Sequence, residues 1–296
     1  MSRDLQSNRF ATLTFERKVA APLATLYAAW TSPAARAVWA PPAPGVVVEF
    51  LEADSRVGGR EVSLCKVAGQ PDIRVEAGWL DLVSDARSVS YEVVSSGGER
   101  RSAALVTAEF SGDAEASRIA VTVQLASLAE DMADDYRQGF AAGMANLAGV
   151  AERTMILQRV IKAPVPVVWG AWWNPDSLPR WWGPEGFSCR TARIDLRAGG
   201  EWVFDMIGPD GTVWPNHHKY GAVIPGARLD YTLHWGENGP KHADAWAMFD
   251  DLGGHTRITL GMVFATAREF QDARGFGAVE LGQQTLGKLA RIIGAE

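Results

Sequence analysis

Residues 157–184 read LQRVIKAPVPVVWGAWWNPDSLPRWWGP, and residues 15–42 read FERKVAAPLATLYAAWTSPAARAVWAPP. Laid over one another at one constant offset, they place Pro22 on Pro164, Trp30 on Trp172, Pro33 on Pro175, Trp39 on Trp181 and Pro42 on Pro184. Rare, structure-punctuating residues that coincide at one spacing mark an internal repeat. The repeat extends outward: RVGGRE at 56–61 answers RAGGEW at 197–202, TAEF at 107–110 answers WAMF at 246–249, and residues 143–147 stand opposite 282–286. A chain of 296 residues is long for one core and suits two, so the sequence predicts domains at residues 1–150 and 151–296. No linker rich in Gly, Ser or Pro separates them, and they are expected to sit against one another.

Within the second copy, MILQRVIKAP at 155–164 alternates and is rich in β-branched residues, which predicts a strand that Pro164 ends. Residues 165–173 read as a short helix broken by Asn174 and Pro175. Asp176 or Ser177 is then expected to cap a second short helix that closes at 181–184. Strands are expected at 187–196, 201–207, 219–224, 229–235, 243–250 and 256–264, separated by turn-forming clusters, with GPDG at 208–211 as a hairpin turn. Alternation puts Trp202, Phe204 and Met206 on one strand face and Leu229, Tyr231, Leu233 and Trp235 on another, so that His234 points away. From 274 to 293, Val279, Leu281, Leu286, Leu289 and Ile293 recur at the spacing of an amphipathic helix, the obvious cover for the sheet. The expected fold class is α+β: two tandem helix-grip domains, each a curved antiparallel β-sheet wrapped around a long C-terminal α-helix, with two short helices near its start.

Hydrophobic residues make up 47% and charged residues 22%, an ordinary globular balance. A formal net charge of −6 and no run of Lys and Arg argue against nucleic-acid binding. No apolar stretch approaches the roughly 20 residues of a membrane span, and MSRDLQSNRF lacks the apolar core of a signal peptide, so a cytoplasmic location is expected. Cys65 and Cys189, one in each half, build neither a disulfide framework nor a metal knuckle and are expected to be buried. Homo-oligomer formation is left open.

All five histidines, His217, His218, His234, His242 and His255, and nine of the twelve tryptophans lie in the second copy. No HExxH spacing is present, and no metal or cofactor is expected. Nucleophile-elbow, phosphate-loop and dinucleotide fingerprints are missing. Asp205 and Asp195 are weak general-base candidates, and no catalytic residue is assigned. The ligand-binding candidates are Trp181, Trp182, Trp202, Phe204, Met206, Tyr220, Tyr231, Leu233 and Trp235, large apolar surfaces with a few polar tips. For Trp181 and Trp182, clamping helix to sheet is the favoured alternative.

The second copy resembles the activator of heat-shock-protein-90 ATPase homologue-like, or polyketide cyclase-like, branch of the SRPBCC superfamily (START and Bet v 1-like). The segments that carry the resemblance are APVPVVWGAWWNPDSLPRWWGP, DLRAGGEWVFDMIGPDGTVWPNHHKYGAVIPGARLDYTLHW, GHTRITLGMVFATAREF and GFGAVELGQQTLGKLARII. The first copy is similar but thinner, with WAPP at 39–42 where the second has WWGP, which leaves open whether both hold the same ligand. The resemblance implies the helix-grip fold and a hydrophobic or amphipathic small molecule held between sheet and C-terminal helix, mainly in the second domain. Two other functions stay open: an enzyme of cyclase, hydrolase or isomerase type, in which Tyr220, Tyr231, His217 or His218 polarises a substrate, and an interaction protein that stimulates a chaperone ATPase.

Overall fold

The computed structural model describes residues 9–128 and 131–295, and the chain divides into two compact units, Met1–Glu152 and Arg153–Glu296. In the first, β1 (Arg9–Val19) leads to two short helices, α1 (Leu23–Thr31) and α2 (Pro33–Trp39). Six strands follow: β2 (Val46–Ala53), β3 (Arg60–Val67), β4 (Ile73–Val83), β5 (Arg87–Ser96), β6 (Glu99–Gly112) and β7 (Ser117–Ser127). A long helix, α3 (Ala133–Ala151), ends the unit. Pro22 precedes α1, and Ser32 caps α2, its hydroxyl accepting from the Ala35 N–H at 3.5 Å with Pro33 behind it.

The second unit repeats this order with β8 (Thr154–Ile161), α4 (Val165–Trp172), α5 (Leu178–Trp181), β9 (Ser188–Ile194), β10 (Glu201–Ile207), β11 (Val213–Ile224), β12 (Arg228–His234), β13 (Lys241–Asp251) and β14 (Thr256–Phe264). It ends in α6 (Ala267–Gly275) and α7 (Ala278–Ile292). The sheet orders are β1-β7-β6-β5-β4-β3-β2 and β8-β14-β13-β12-β11-β10-β9, antiparallel throughout. Each is a meander whose first strand returns to pair with its last. In the first unit α3 packs on β1, α1 and α2; in the second α7 packs on β8, α5 and α6. Each helix covers the sheet face its own unit needs to bury.

The repeat holds at atomic detail. The Trp39 indole N–H donates to the Ala29 carbonyl at 2.8 Å, and that of Trp181 to Ala171 at 3.1 Å. Ser117 Oγ donates to Ala21 O at 2.8 Å, and Thr256 Oγ1 to Ala163 O at 2.7 Å. Gly58 and Gly199 both take positive φ, near +79° and +75°, in matching turns. A Cβ on the following glycine would come within 2.1 Å of Asp54 O in one unit and 2.2 Å of Asp195 O in the other. Only glycine closes these hairpins.

Three details differ from the sequence expectations. Neither Asp176 nor Ser177 caps α5. The Asn174 carboxamide accepts from the Asp176 and Ser177 N–H groups at 2.8 and 3.1 Å, an Asx turn formed one residue before Pro175. The single terminal helix is two, because Gly277 at φ +88° separates α6 from α7. The strand expected at 219–224 begins at Val213, with Pro215 paired only to Asp205 on β10 while β12 joins from His217 onward. Proline fits there because the side of the strand where its N–H is missing has no partner strand.

Candidate functional site

Alternation along β10 turns Trp202 and Phe204 inward, where their rings stack at 3.7 Å between centroids, with Met206 half-buried beyond them. Opposite Trp202 in the register lies His218, and opposite His218 lies Leu233; Tyr220 pairs with Tyr231. Behind Leu233, Tyr231 and Leu229 the next strand carries Ala243, Ala245 and Ala247. Small residues on β13 leave room for the aromatic layer. From the helices, Trp172 and Trp181 meet edge to face at 4.9 Å, and Trp182 bridges them to Trp202 at 6.0 Å and to His218 at 5.2 Å. Leu286 and Leu289 of α7 belong to the same core.

His218 sits inside this layer, 3% exposed, with the rings of Trp202, Phe204 and Tyr231 at 5.4, 5.1 and 5.2 Å. Burial, helped by the charges of His242, His217 and His234, pushes its pKa down to about 3, so the imidazole is neutral. Tyr220 and Tyr231 are pushed the other way, again by burial first, and keep their phenol protons. The Tyr231 hydroxyl is buried without a hydrogen-bond partner. A buried polar group left unpaired costs about 1–3 kcal/mol, and this oxygen is an unpaired polar atom within the aromatic layer.

The remaining candidates separate. Trp181 is fully buried with its N–H held by Ala171, the clamp geometry. Trp235 lies outside the layer, 51% exposed and stacked on His242 at 4.3 Å. β12 ends at His234, and Trp235 lies past it in the turn, its N–H donating to Pro240 O at 3.2 Å, so the strand alternation that placed it inward does not reach it. His217 faces the opposite side of β11 from His218, its Nε2 2.6 Å from Glu201 Oε2, while Arg193 holds the other Glu201 oxygen at 2.5 Å. Arg193 first and His217 second hold the Glu201 carboxyl down at about 2. His234 bonds Thr232 Oγ1 at 3.0 Å, and His255 is exposed in a turn. Asp205 and Asp195 pair with Arg190 and Arg197 at 2.6 and 2.8 Å on the outer face. Among the described residues no three His, Cys, Asp or Glu side chains converge on a metal position. Cys189 donates to the Trp182 carbonyl at 3.4 Å, and burial pushes its thiol up to about 12, far from a reactive thiolate.

Sequence reasoning missed a second constellation, in the first unit. A cavity of about 40 Å³ is lined by residues that include Arg36, Glu61, Trp79, Ser90 and Glu92. Arg36 from α2 forms an ion pair with Glu61, whose side chain is 3% exposed. The guanidinium also lies over the rings of Phe50 and Trp79, 4.9 and 5.5 Å from their centroids. Ser55 Oγ donates to Thr31 O at 3.0 Å and to Glu61 Oε1 at 3.4 Å. Glu92 accepts from the Tyr136 hydroxyl of α3, which lies 3.1 Å from Ser102 Oγ; burial outweighs that bond and Arg36, raising the Glu92 pKa. The signal was present in the repeat, where RVGGRE sets Glu61 against the Trp202 of RAGGEW.

Seven antiparallel strands closed against a C-terminal helix, with two short helices after the first strand, define the helix-grip class, and this chain carries two such units in tandem. Residues 162–294, most of the second unit, match the family described as Activator of Hsp90 ATPase homolog 1-like protein, and the helix-grip fold with this match supports assignment to the SRPBCC superfamily. Among solved structures, the chain is similar to a protein from Rhizobium loti, at 30% identity over 48% of this chain and 98% of that one, with a TM-score of 0.44. It is also similar to a protein from Nitrosomonas europaea, at 26% identity over 49% and 96%, with a TM-score of 0.45. A protein from Arthrobacter aurescens matches at 22% identity over 49% and 88%, with a TM-score of 0.46. No curated protein matches. Among the described residues no helix is long and apolar enough to cross a membrane.

Proposed function

We propose that the second unit binds a hydrophobic or amphipathic small molecule between its sheet and α7, against the wall formed by Trp202, Phe204, His218, Tyr220, Tyr231 and Leu233. The observation that carries this reading is the Tyr231 hydroxyl, buried among aromatic rings with no protein partner. A ligand bearing one oxygen or nitrogen on an apolar body satisfies it while covering the aromatic surface. The half-buried Trp182 and Met206 are the side chains at which such a molecule enters.

Binding is favoured over acid–base catalysis at this wall. A general acid or base works best with a pKa near the operating pH, whereas burial moves His218 down to about 3 and the two tyrosines up, so none changes charge near neutrality. Native mass spectrometry of the freshly purified full-length chain tests the proposal. A discrete adduct released on unfolding, and depleted in Tyr231→Phe, is the expected result. A bare mass in both proteins, with no uptake from a panel of amphipathic compounds, would sink it.

A further inference from the structure

The two sheets share a register, so their inward positions correspond strand by strand. The pairs Trp202 with His218 and His218 with Leu233 in the second unit are matched by Glu61 with Ala77 and Ala77 with Glu92 in the first. Likewise Tyr220 with Tyr231 becomes Trp79 with Ser90. From the short helices, Arg36 takes the repeat position of Leu178. Thus Trp202, His218, Tyr231 and Leu233 give way to Glu, Ala, Ser and Glu. The first unit has lost the ring volume that fills its sister and has placed charge at the same spot.

A buried ion pair is a poor way to stabilise a core, since well-packed apolar residues do as well or better, and the second unit shows that this fold accepts them. The Trp79 indole N–H supplies an independent sign of a missing partner. Trp79 is 4% exposed, lines the cavity, and its Nε1 makes no hydrogen bond. An indole nitrogen is donor only, so the group that completes it must be an acceptor. Arg36 and Glu61 neutralise each other, which leaves an incoming anion facing the Glu61 carboxylate and an incoming cation facing the guanidinium. Glu92 and Ser90, on the neighbouring strand, supply oxygens that accept an N–H. With room for about three waters or one molecule of a few heavy atoms, the occupant is small.

We propose that the first unit is a binding site for a small neutral molecule bearing a primary amide, its carbonyl oxygen accepting from Trp79 Nε1–H and its N–H donating to Glu92. The site is independent of the one proposed for the second unit and differs from it in chemistry. Burial keeps Glu92 inclined to hold a proton, and a carboxylic acid and a primary amide are complementary through two hydrogen bonds; the ionised carboxylate accepts the same N–H.

The test uses the full-length chain, acetamide as the probe and acetate as its charged isostere. The Trp79 indole N–H is followed by ¹⁵N-resolved NMR and identified by its loss in Trp79→Phe. Saturation transfer from protein to the acetamide methyl gives a reading that needs no variant. Acetamide is expected to shift the Trp79 resonance saturably in the millimolar range and to receive saturation, with acetate doing neither. Glu92→Leu, which installs the residue of the sister unit, is expected to weaken acetamide about tenfold. Absence of saturation transfer, an unmoved Trp79 indole, or acetate binding as well as acetamide would each overturn the assignment.

Discussion

His217 and His218 are neighbours in the chain that point to opposite faces of β11, and only His218 is enclosed by aromatic rings. Its folded-state pKa of about 3 lies below the ordinary 6.5. Between these values the unfolded chain binds a proton that the folded one refuses. The stability from keeping this ring neutral is therefore complete above 6.5 and lost as pH falls through that value toward 3, at about 1.4 kcal/mol per unit. In His218→Phe the fall in unfolding free energy between pH 7 and pH 5 is expected to shrink by about 2 kcal/mol, measured from urea midpoints. An unchanged slope would show that His218 is solvated in the native state. A second residue-scale contrast concerns glycine. A Cβ at Gly261 would lie 2.1 Å from the buried ring of Trp246, whereas at Gly282 it would lie 2.2 Å from the terminal methyl of Leu157. The indole is rigid and the leucine tip can rotate. Gly261→Ala is expected to cost about 3 kcal/mol and Gly282→Ala distinctly less, a ranking that thermal denaturation of the pair checks.

At the scale of elements, strands whose alternation is regular were readable from sequence, and the departures have local causes. The strands expected at 201–207 and 256–264 coincide with β10 and β14, since Trp, Phe, Val and Ile in period two leave little choice. Where a strand stops short of its expected end the alternation no longer applies: β12 ends at His234, and Trp235, expected on the wall, lies exposed in the turn that follows. The two-helix ending was also present in the chain, in TARE at 266–269, a Thr-x-x-Glu start signal outweighed by the apolar spacing farther on. The Thr266 hydroxyl accepts from the Glu269 N–H at 3.1 Å, and the Glu269 carboxylate accepts from the Thr266 N–H at 2.9 Å. Thr266→Ala breaks this capping box and is expected to lower stability by about 1 kcal/mol, seen as a lower urea midpoint with an unchanged slope. Loss of helical signal without a midpoint change would mean instead that α6 frays independently of the core.

Across the whole molecule, the tandem architecture was legible because prolines, glycines and tryptophans that punctuate a fold survive in both copies. The sites were less so. The concentration of tryptophan and histidine directs attention to the second copy, but a row of large rings fills space as readily as it lines a pocket. The first copy, poorer in such rings, looks degenerate beside it, while the same change opens a cavity. What a sequence read one copy at a time cannot show is that Arg36 and Glu61, 25 residues apart, meet inside it. If that pair serves a ligand rather than the fold, apolar replacement of both partners should not harm stability. Arg36→Leu alone leaves Glu61 buried and unpaired, and Glu61→Leu alone leaves the guanidinium over two aromatic rings without its counter-ion; each is expected to cost about 3 kcal/mol. The double variant is expected to recover to wild-type stability or above it, while altering the cavity proposed to hold the amide. A double variant as unstable as the sum of the two single ones would assign the pair to holding α2 against β3.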